Sequence, residues 1–358
     1  MNQINQDQLR YLGNLKQLCG VNRITYAEGK ADGIRAYELY NNAGLSFTCM
    51  DSRCMDIYRM AYRGINIPFL AKPGLCSASH TDLHGVNFLR SIGGGLVYTC
   101  GLSNVGNAYV NEAEGADDIF HGRLRFTPAE NSGSFTRWEN DEYVIGVHGE
   151  MRDASLFKDN LVLSRTVSTS MNSKTVTIED FVTNEGFETQ DLMLTYHINL
   201  GYPLVRKGCS VHIPSDEAIP MNAAAQEGIE DWAQVSGPID GYNENVFVHR
   251  LRCNEQGKVV AGLYNHELRL GLQLTFDSAA MPYIVQWKCM KSGDYVMGIF
   301  PSNNHAAGRG YERGQGTLRR IKPFERIQAG FVLRILDGEA DYRSFCDAVQ
   351  ACNRAVQL

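Results

Sequence analysis

Hydrophobic and polar residues alternate along residues 192–200, which read LMLTYHINL. One set of positions is apolar or aromatic (Leu192, Leu194, Tyr196, Ile198 and Leu200), and the other carries Met193, Thr195, His197 and Asn199. This period of two predicts a β-strand with one buried face and one face lining a polar pocket. Gly201 and Pro203 then end the strand. Taken alone, His197 is more typical of a hydrogen-bonded sheet histidine than of a catalyst.

Similar short apolar runs recur along the chain, separated by Gly, Asn, Asp and Ser. The clearest strand candidates are residues 144–147, 161–169, 175–183, 192–200, 268–276, 283–288, 295–299 and 327–336. Many short strands with few long helical patterns predict an all-β-dominated fold, a β-sandwich. Helical spacing of apolar residues predicts a short helix at each end, within residues 1–20 and within residues 338–358. Because no linker or internal repeat interrupts the pattern, we expect one domain over residues 1–358.

Composition excludes several classes of function. The 358 residues carry a formal net charge of −6, which gives no electrostatic basis for binding nucleic acid. No apolar run is long enough to predict a membrane span, and residues 1–7 lack the basic and apolar segments of a signal peptide. The ten cysteines form no Cys-x-x-Cys pair and mostly lie in apolar stretches, so we expect reduced, buried thiols in a cytoplasmic protein.

Four motifs in order along the chain suggest a family. They are DSRCMDI at 51–57, GGGLVYTCGL at 93–102, HGR at 121–123 and YHINLGYPL at 196–204. This ordered set resembles the aldose 1-epimerase (galactose mutarotase-like) superfamily, and within it the DUF4432-type branch. The resemblance covers roughly residues 35–336, and it implies a galactose-mutarotase-like β-super-sandwich that binds a carbohydrate in an open cleft.

The resemblance also implies roles for individual residues. His197 corresponds to the general acid that protonates the ring oxygen of a sugar, and His121 to the second active-site histidine. Without the family, His121 is interpreted as a surface loop residue. Both imidazoles are therefore expected to converge on one pocket.

Further residues are implied as sugar-binding groups. Arg90 lies roughly where sugar epimerases have a sugar-binding arginine, with a structural salt bridge as the alternative. Glu244 corresponds to a carboxylate that holds sugar hydroxyls, although Asn243 competes for that position. Trp287 is expected to stack on the sugar, with core packing as the alternative.

The chain departs from the family at residue 300. Sugar epimerases have a glutamate there as the general base, whereas this chain has Phe300, and a phenyl ring cannot accept a proton. The resemblance implies that Phe300 lies in the same cleft as the histidines. Glu312 is the nearest substitute base, with an exposed loop residue as the alternative interpretation.

Two further patterns bear on ligands. His80 and His84 have metal-ligand spacing only if that segment is helical, no third ligand is evident, and a polar loop is the preferred interpretation. Arg309 and Arg313 offer cations for a carboxylate or phosphate on a modified sugar.

The leading hypothesis is an aldose 1-epimerase-like isomerase that acts on a small carbohydrate by acid–base catalysis, without a metal or organic cofactor. The alternatives are a non-catalytic carbohydrate-binding or regulatory protein, supported by Phe300, and an enzyme acting on a modified or acidic sugar. The oligomeric state is left open.

Overall fold

A computed structural model describes residues 9–81, 83–111 and 116–354. Its strands in the first half of the chain are β1 (Gly20–Thr25), β2 (Arg35–Tyr40), β3 (Leu45–Met50), β4 (Asp56–Tyr62), β5 (Ile65–Asn66), β6 (Val97–Leu102), β7 (Tyr109–Asn111), β8 (Ala116–Asp118), β9 (Glu130–Glu139), β10 (Glu142–Ala154), β11 (Asn160–Ser170) and β12 (Thr175–Asn184). Those in the second half are β13 (Gln190–Leu200), β14 (Ser210–His212), β15 (Ser215–Pro220), β16 (Asn245–Leu251), β17 (Lys258–Asn265), β18 (Leu270–Asp277), β19 (Tyr283–Lys291), β20 (Asp294–Ser302), β21 (Arg319–Ile321) and β22 (Arg326–Asp337).

The helices are few and mostly short. They are α1 (Ala223–Glu227), α2 (Arg309–Gln315) and α3 (Glu339–Arg354), with 3₁₀ turns at Leu15–Gln17, Gly29–Ala31, Ala78–His80, Gly85–Arg90, Leu124–Phe126 and Ile229–Asp231. The expected β-dominated fold is therefore confirmed. No helix within the described ranges is long and apolar enough to cross a membrane.

Two large antiparallel sheets form the body of the protein. An eight-stranded sheet has the order β14-β17-β18-β22-β12-β11-β10-β9. A seven-stranded sheet has the order β15-β16-β19-β20-β13-β21, with β6 also paired to β13. A five-stranded sheet, β1 to β5 in chain order, and the small β7-β8 pair complete the topology.

The main hydrophobic core lies between the large sheets. The alternate apolar residues of β13 point into it, together with residues such as Phe331 and Leu333 of β22. The opposite face of β13 carries Thr195, His197 and Asn199, as the alternation predicted. All eight predicted strands exist, and only the one expected at 268–276 begins two residues later, at Leu270. Burying apolar side chains between facing sheets is the main stabilising term of such a sandwich.

A buried ion network fixes β13 from the core side. The Arg165 guanidinium donates through Nε and Nη2 to the two carboxylate oxygens of Asp180, at 2.9 and 2.7 Å. The hydroxyl of Tyr196 donates to the same carboxylate at 2.7 Å. The Nη1 atom of Arg165 reaches Asp56 at 2.9 Å. Because Tyr196 directly precedes His197, this network holds the strand that presents the histidine on its other face.

The two terminal predictions differ in outcome. The C-terminal helix is confirmed as α3, which buries Phe345, Val349 and Cys352. The N-terminal helix is wrong from residue 10 onward, where turns lead to the 3₁₀ turn at Leu15–Gln17, while residues 1–8 lie outside the described ranges. The interruption occurs where the Gln17 side chain accepts the backbone N–H groups of Gly13 and Asn14, so these donors are satisfied without a continuous helix.

Candidate active site

One face of the seven-stranded sheet is turned away from the main core. We call it the cleft face, and it carries Val248, Val285, Phe300, His197 and Tyr98 in a row across the strands. Strand register places Val248 opposite Val285, and Val285 opposite Phe300. On the other side, His197 is opposite Tyr98. Phe300 and His197 meet between β20 and β13, where their rings stack with centroids 3.6 Å apart. The expected position of Phe300 beside the histidine is thereby confirmed.

Aromatic rings surround His197. Besides Phe300, the indole of Trp287 lies 5.5 Å and the ring of Tyr98 lies 6.0 Å from the imidazole, centroid to centroid. Gly298 leaves room for this arrangement, because a Cβ at that position would come within 2.3 Å of the Phe300 ring. The partly exposed His197 and Trp287 therefore form an apolar, aromatic surface with one polar group, the kind of surface that stacks on the apolar face of a sugar.

His121 reaches the same place from a loop. Its imidazole centroid lies 5.8 Å from that of His197, so the predicted convergence of the two histidines is confirmed. The loop is tightly held: His121 has φ of +62°, and its N–H donates to the carbonyl of Gly106 at 2.9 Å. Gly122 must follow, because a Cβ there would lie 2.3 Å from the carbonyl oxygen of Gly101.

The hydrogen-bond partners assign opposite tautomers to the two histidines. Asn199 donates through its amide nitrogen to the carbonyl of Gly95, so its Oδ1 faces Nδ1 of His197 at 2.6 Å and accepts a hydrogen bond from the N–H there. Neutral His197 therefore presents a lone pair on Nε2. The backbone N–H of Gly106 donates to Nδ1 of His121 at 3.1 Å. Neutral His121 therefore carries its proton on Nε2.

Both imidazoles are neutral near pH 7. Burial, and to a smaller extent the charge of Arg125, lower the pKa of His197 to about 3, against the opposing effect of the hydrogen bond to Asn199. Burial, His197 and Arg125 hold the pKa of His121 well below its ordinary value. The family resemblance implies a proton donor at His197, whereas this tautomer accepts a proton at Nε2.

Glu244 and Trp287 form one unit at the edge of the site. The indole Nε1 of Trp287 donates to Oε2 of Glu244 at 2.6 Å. Glu244, rather than Asn243, is therefore the residue joined to the aromatic surface beside His197. The exposed carboxylate keeps acceptor positions for other donors, as sugar hydroxyl groups are.

The predicted arginine and an unpredicted one occupy different environments. Arg90 ends the 3₁₀ turn Gly85–Arg90 with its side chain exposed, and its role stays a prediction.

Arg125 was missed by the sequence analysis. It is fully buried, donates through Nη1 to the carbonyl of Phe120 at 2.6 Å, and lies within electrostatic range of both imidazoles. Its position between the apolar residues 124 and 126 was the only available signal.

Glu312 is not an exposed loop residue, so that interpretation is wrong. It lies fully buried in α2, and its carboxylate accepts from the backbone N–H and Nδ1 of His305, at 2.8 and 3.1 Å, and from the hydroxyl of Thr317 at 2.6 Å. These hydrogen bonds outweigh burial and lower the pKa of Glu312. Because both oxygens are occupied, the carboxylate serves to orient His305, whose ring lies 4.4 Å from that of Tyr283.

A cavity of about 880 Å³ lies away from the histidines. Its walls contain Arg309 and Arg313, the cations considered for an acidic sugar. Arg309 lies 3.1 Å from the carboxylate of Asp118, and Arg313 lies 3.1 Å from that of Asp191. Both cations are thus paired, and the cavity contains no imidazole, so the chemistry favours the cleft face as the site. No cluster of three or more metal-ligating side chains occurs in the described ranges.

Comparison with known proteins identifies the family and the fold. Residues 31–335 match the family described as Domain of unknown function (DUF4432). The fold is similar to that of a protein provisionally named an aldose 1-epimerase from Klebsiella pneumoniae subsp. pneumoniae MGH 78578, with 21% identity, a TM-score of 0.88, and coverage of 99% of this chain and 92% of that chain.

Two further solved structures share the fold at lower similarity. A galactose mutarotase-like protein from Clostridium acetobutylicum has 13% identity and a TM-score of 0.60, covering 90% of this chain and 99% of that chain. The galactose 1-epimerase of Lactobacillus acidophilus NCFM has 14% identity and a TM-score of 0.57, covering 90% of this chain and 100% of that chain. No curated protein matches the chain.

Proposed function

The chain belongs to the DUF4432 family, and on that premise we propose that it is an aldose 1-epimerase-type isomerase acting on the anomeric centre of a carbohydrate at the cleft face. One observation carries the proposal: two neutral imidazoles of opposite tautomer meet 5.8 Å apart on an aromatic surface. An acceptor nitrogen and a donor N–H side by side are what ring opening of a sugar needs. The free, mostly buried cysteines support a cytoplasmic location.

The tautomers suggest a mechanism that needs no glutamate. His197 Nε2 takes the proton from the anomeric hydroxyl, the bond between C1 and the ring oxygen breaks, and the C1 carbonyl forms. His121 donates a hydrogen bond through Nε2–H to the ring oxygen as negative charge develops there. The His197 imidazolium then returns its proton to that oxygen. Rotation about C1–C2 and the reverse steps close the ring as the other anomer.

This route is compatible with Phe300, since one imidazole carries the proton out and back. Both oxygens involved are bonded to C1, so a single nitrogen can serve them in turn. The stacked ring of Phe300, 3.6 Å from His197, faces the imidazolium with the π-electrons that stabilise cations. Trp287 and Glu244 would hold the sugar by stacking and by accepting its hydroxyl groups.

Anomer exchange measured by NMR tests the proposal. The purified protein is mixed with D-galactose or D-glucose, and magnetisation transfer between the α and β anomers is compared with spontaneous mutarotation. We expect His197→Gln to lower the catalysed rate by about 100-fold or more, since proton-transfer groups typically contribute 10²–10⁴-fold.

A matched control is His212→Gln. His212 is also a half-buried histidine with a pKa lowered by burial, but it lies in β14 of the other large sheet and hydrogen-bonds Tyr342 at 3.1 Å. This variant should keep the wild-type rate. Equal losses in both variants, or a wild-type rate no faster than buffer for any sugar that binds, would contradict the proposal.

A non-catalytic carbohydrate-binding protein is the second candidate, and Phe300 is the observation that favours it. Its ring is buried, and the family resemblance assigns this position to the base of sugar epimerases. Under this hypothesis the wild-type protein binds a sugar measurably, with Trp287→Ala weakening binding, while anomer exchange stays at the spontaneous rate.

A further inference from the structure

Arg125 is a fully buried cation with one edge that meets no acceptor among the residues that the structure describes. Its Nη1 atom donates to the carbonyl of Phe120, but Nε and Nη2, both shielded from solvent, have no hydrogen-bond partner among the described residues. A buried guanidinium without an anion is costly, because removal from water disfavours its charge. Such a group therefore calls for an explanation beyond packing.

The same molecule shows what this edge of an arginine binds when it is satisfied. In Arg165, Nε and Nη2 donate side by side to the two carboxylate oxygens of Asp180, while Nη1 contacts a backbone carbonyl, that of Cys54, as well as Asp56. Arg125 repeats the Nη1–carbonyl contact. Its Nε–Nη2 edge has the geometry that matches a planar carboxylate through two parallel hydrogen bonds.

Two further unpaired groups lie near Arg125 in the described part of the chain. The buried Arg53 lies within electrostatic range and has an unpaired Nη2, and the buried hydroxyl of Tyr98 is also unpaired. Burial raises the pKa of Tyr98 to about 12, so its hydroxyl keeps its proton. The carboxylate in electrostatic range of Arg53 is Asp56, which is already hydrogen-bonded to Arg165 and Thr99. Several N–H and O–H donors without an acceptor among the described residues favour an anion as the partner.

Packing among aromatic rings is the competing explanation. The Arg125 guanidinium carbon lies 5.4 Å from the ring centroid of Phe88, 5.5 Å from that of Tyr98 and 4.8 Å from that of Phe126. These cation–π contacts offset part of the burial cost. They act on the faces of the rings, however, and leave the N–H groups at the edge unsatisfied, so they do not account for the unpaired donors.

From these contacts we infer that Arg125, assisted by Tyr98 and Arg53, binds a carboxylate on the sugar, so that the substrates are uronic-acid-type sugars rather than neutral aldoses. Tyr98 connects the Arg125 guanidinium with the histidine pair, because it is opposite His197 in the pairing of β6 with β13. The anionic group would then be held on one side of the imidazoles while the anomeric carbon faces them. The inference rests on the proposed function for the orientation of the sugar, but not for the binding of its carboxylate.

Calorimetric titration with D-galacturonate, D-galactose and D-galactose 6-phosphate tests the inference on the wild-type protein. Hydrogen bonds to a charged group contribute about 1.5–3 kcal/mol, so galacturonate should bind about 10- to 100-fold more tightly than galactose. Arg125→Gln should remove this preference. Arg125→Lys, which keeps the charge but loses the paired N–H edge, should lose most of it.

Arg123→Gln is the matched control, because Arg123 belongs to the same loop but is exposed; it should keep the preference for galacturonate. Equal affinity of the wild type for galacturonate and galactose, tighter binding of the 6-phosphate than of galacturonate, or a preference that survives Arg125→Gln would each overturn the inference. Should Arg125→Gln fail to fold, the wild-type comparison of the three ligands still decides.

Anomer exchange measured on the same samples separates the two proposals. Tight galacturonate binding without exchange would support the carboxylate site and refute the isomerase. Exchange of galactose anomers without a binding preference for galacturonate would support the isomerase and refute the carboxylate site.

Discussion

The replacement Phe300→Glu tests whether the missing base limits the site. The Phe300 ring lies 3.6 Å from the imidazole of His197 and is 3% exposed, so a carboxylate at this position would lie against the imidazole in a mostly buried place. Opposite unit charges about 4 Å apart interact by about 4 kcal/mol at an effective dielectric constant near 20. That energy corresponds to roughly a thousandfold increase in the proton affinity of His197.

The change also has a structural cost. The Phe300 ring packs on Val248 and Val285, and loss of a buried phenyl ring typically costs about 3–5 kcal/mol when it is cut back to alanine. Thermal unfolding must therefore show that each variant is folded before rates are compared. Phe300→Leu is the matched control, because it removes the ring and adds no charge.

Two measurements decide the outcome. NMR titration of the His197 imidazole should show a higher pKa in Phe300→Glu than in the wild type, and anomer exchange should be faster at neutral pH. Phe300→Leu should show neither effect. An unmoved pKa of His197 in a folded Phe300→Glu protein, or equal acceleration of exchange in Phe300→Leu, would contradict this prediction.

Three further outcomes are expected. Gly298→Ala would push a Cβ to 2.3 Å from the Phe300 ring, so about 1–3 kcal/mol of unfolding free energy should be lost by urea denaturation, whereas Gly237→Ala, where nothing lies within 4 Å, should be neutral. Burial lowers the pKa of His249 to about 4 against 6.5. The unfolded chain therefore takes up this proton first on acidification, and the share of stability due to His249 is lost as the pH falls from 6.5 toward 4, by about 2 kcal/mol at pH 5. His249→Gln should remove this share of the pH dependence of the unfolding free energy. Treatment with EDTA should leave the unfolding temperature unchanged, and a lowered temperature would indicate a bound metal.

Local pattern was enough to predict the strand that carries the site. The period of two along residues 192–200 shows which side chains face the core, because successive side chains of a strand point to opposite faces. It therefore places His197 on the cleft face without any knowledge of the partner strands. The stacking partner Phe300 came only from the family resemblance, because β20 meets β13 through pairing that no local period encodes.

The burial of charged residues could not be predicted from the sequence. Glu312 lies in a polar stretch, and the inward face of α2 shows no apolar period because its buried residue is a carboxylate, satisfied by His305 and Thr317. The burial of Arg125 was also not predicted, since arginine side chains are normally exposed. Its burial depends on Phe88 and Tyr98, which lie far from it in sequence. Apolar spacing near the N-terminus predicted a helix that does not continue past residue 9. The Gln17 side chain there accepts the backbone N–H groups of Gly13 and Asn14 without a helix.

Phe300 and Arg125 act on the same histidine in the same direction. Phe300 withholds a negative charge, and the charge of Arg125 lowers the pKa of His197 further, so the base of the proposed mechanism is weak in the free protein. A substrate carboxylate on Arg125 would cancel that repulsion and strengthen the base only when the substrate is bound. We therefore expect NMR titration to show a higher pKa of His197 with saturating galacturonate than with saturating galactose. An equal pKa in the two complexes would separate Arg125 from the chemistry, and would leave it a binding residue alone.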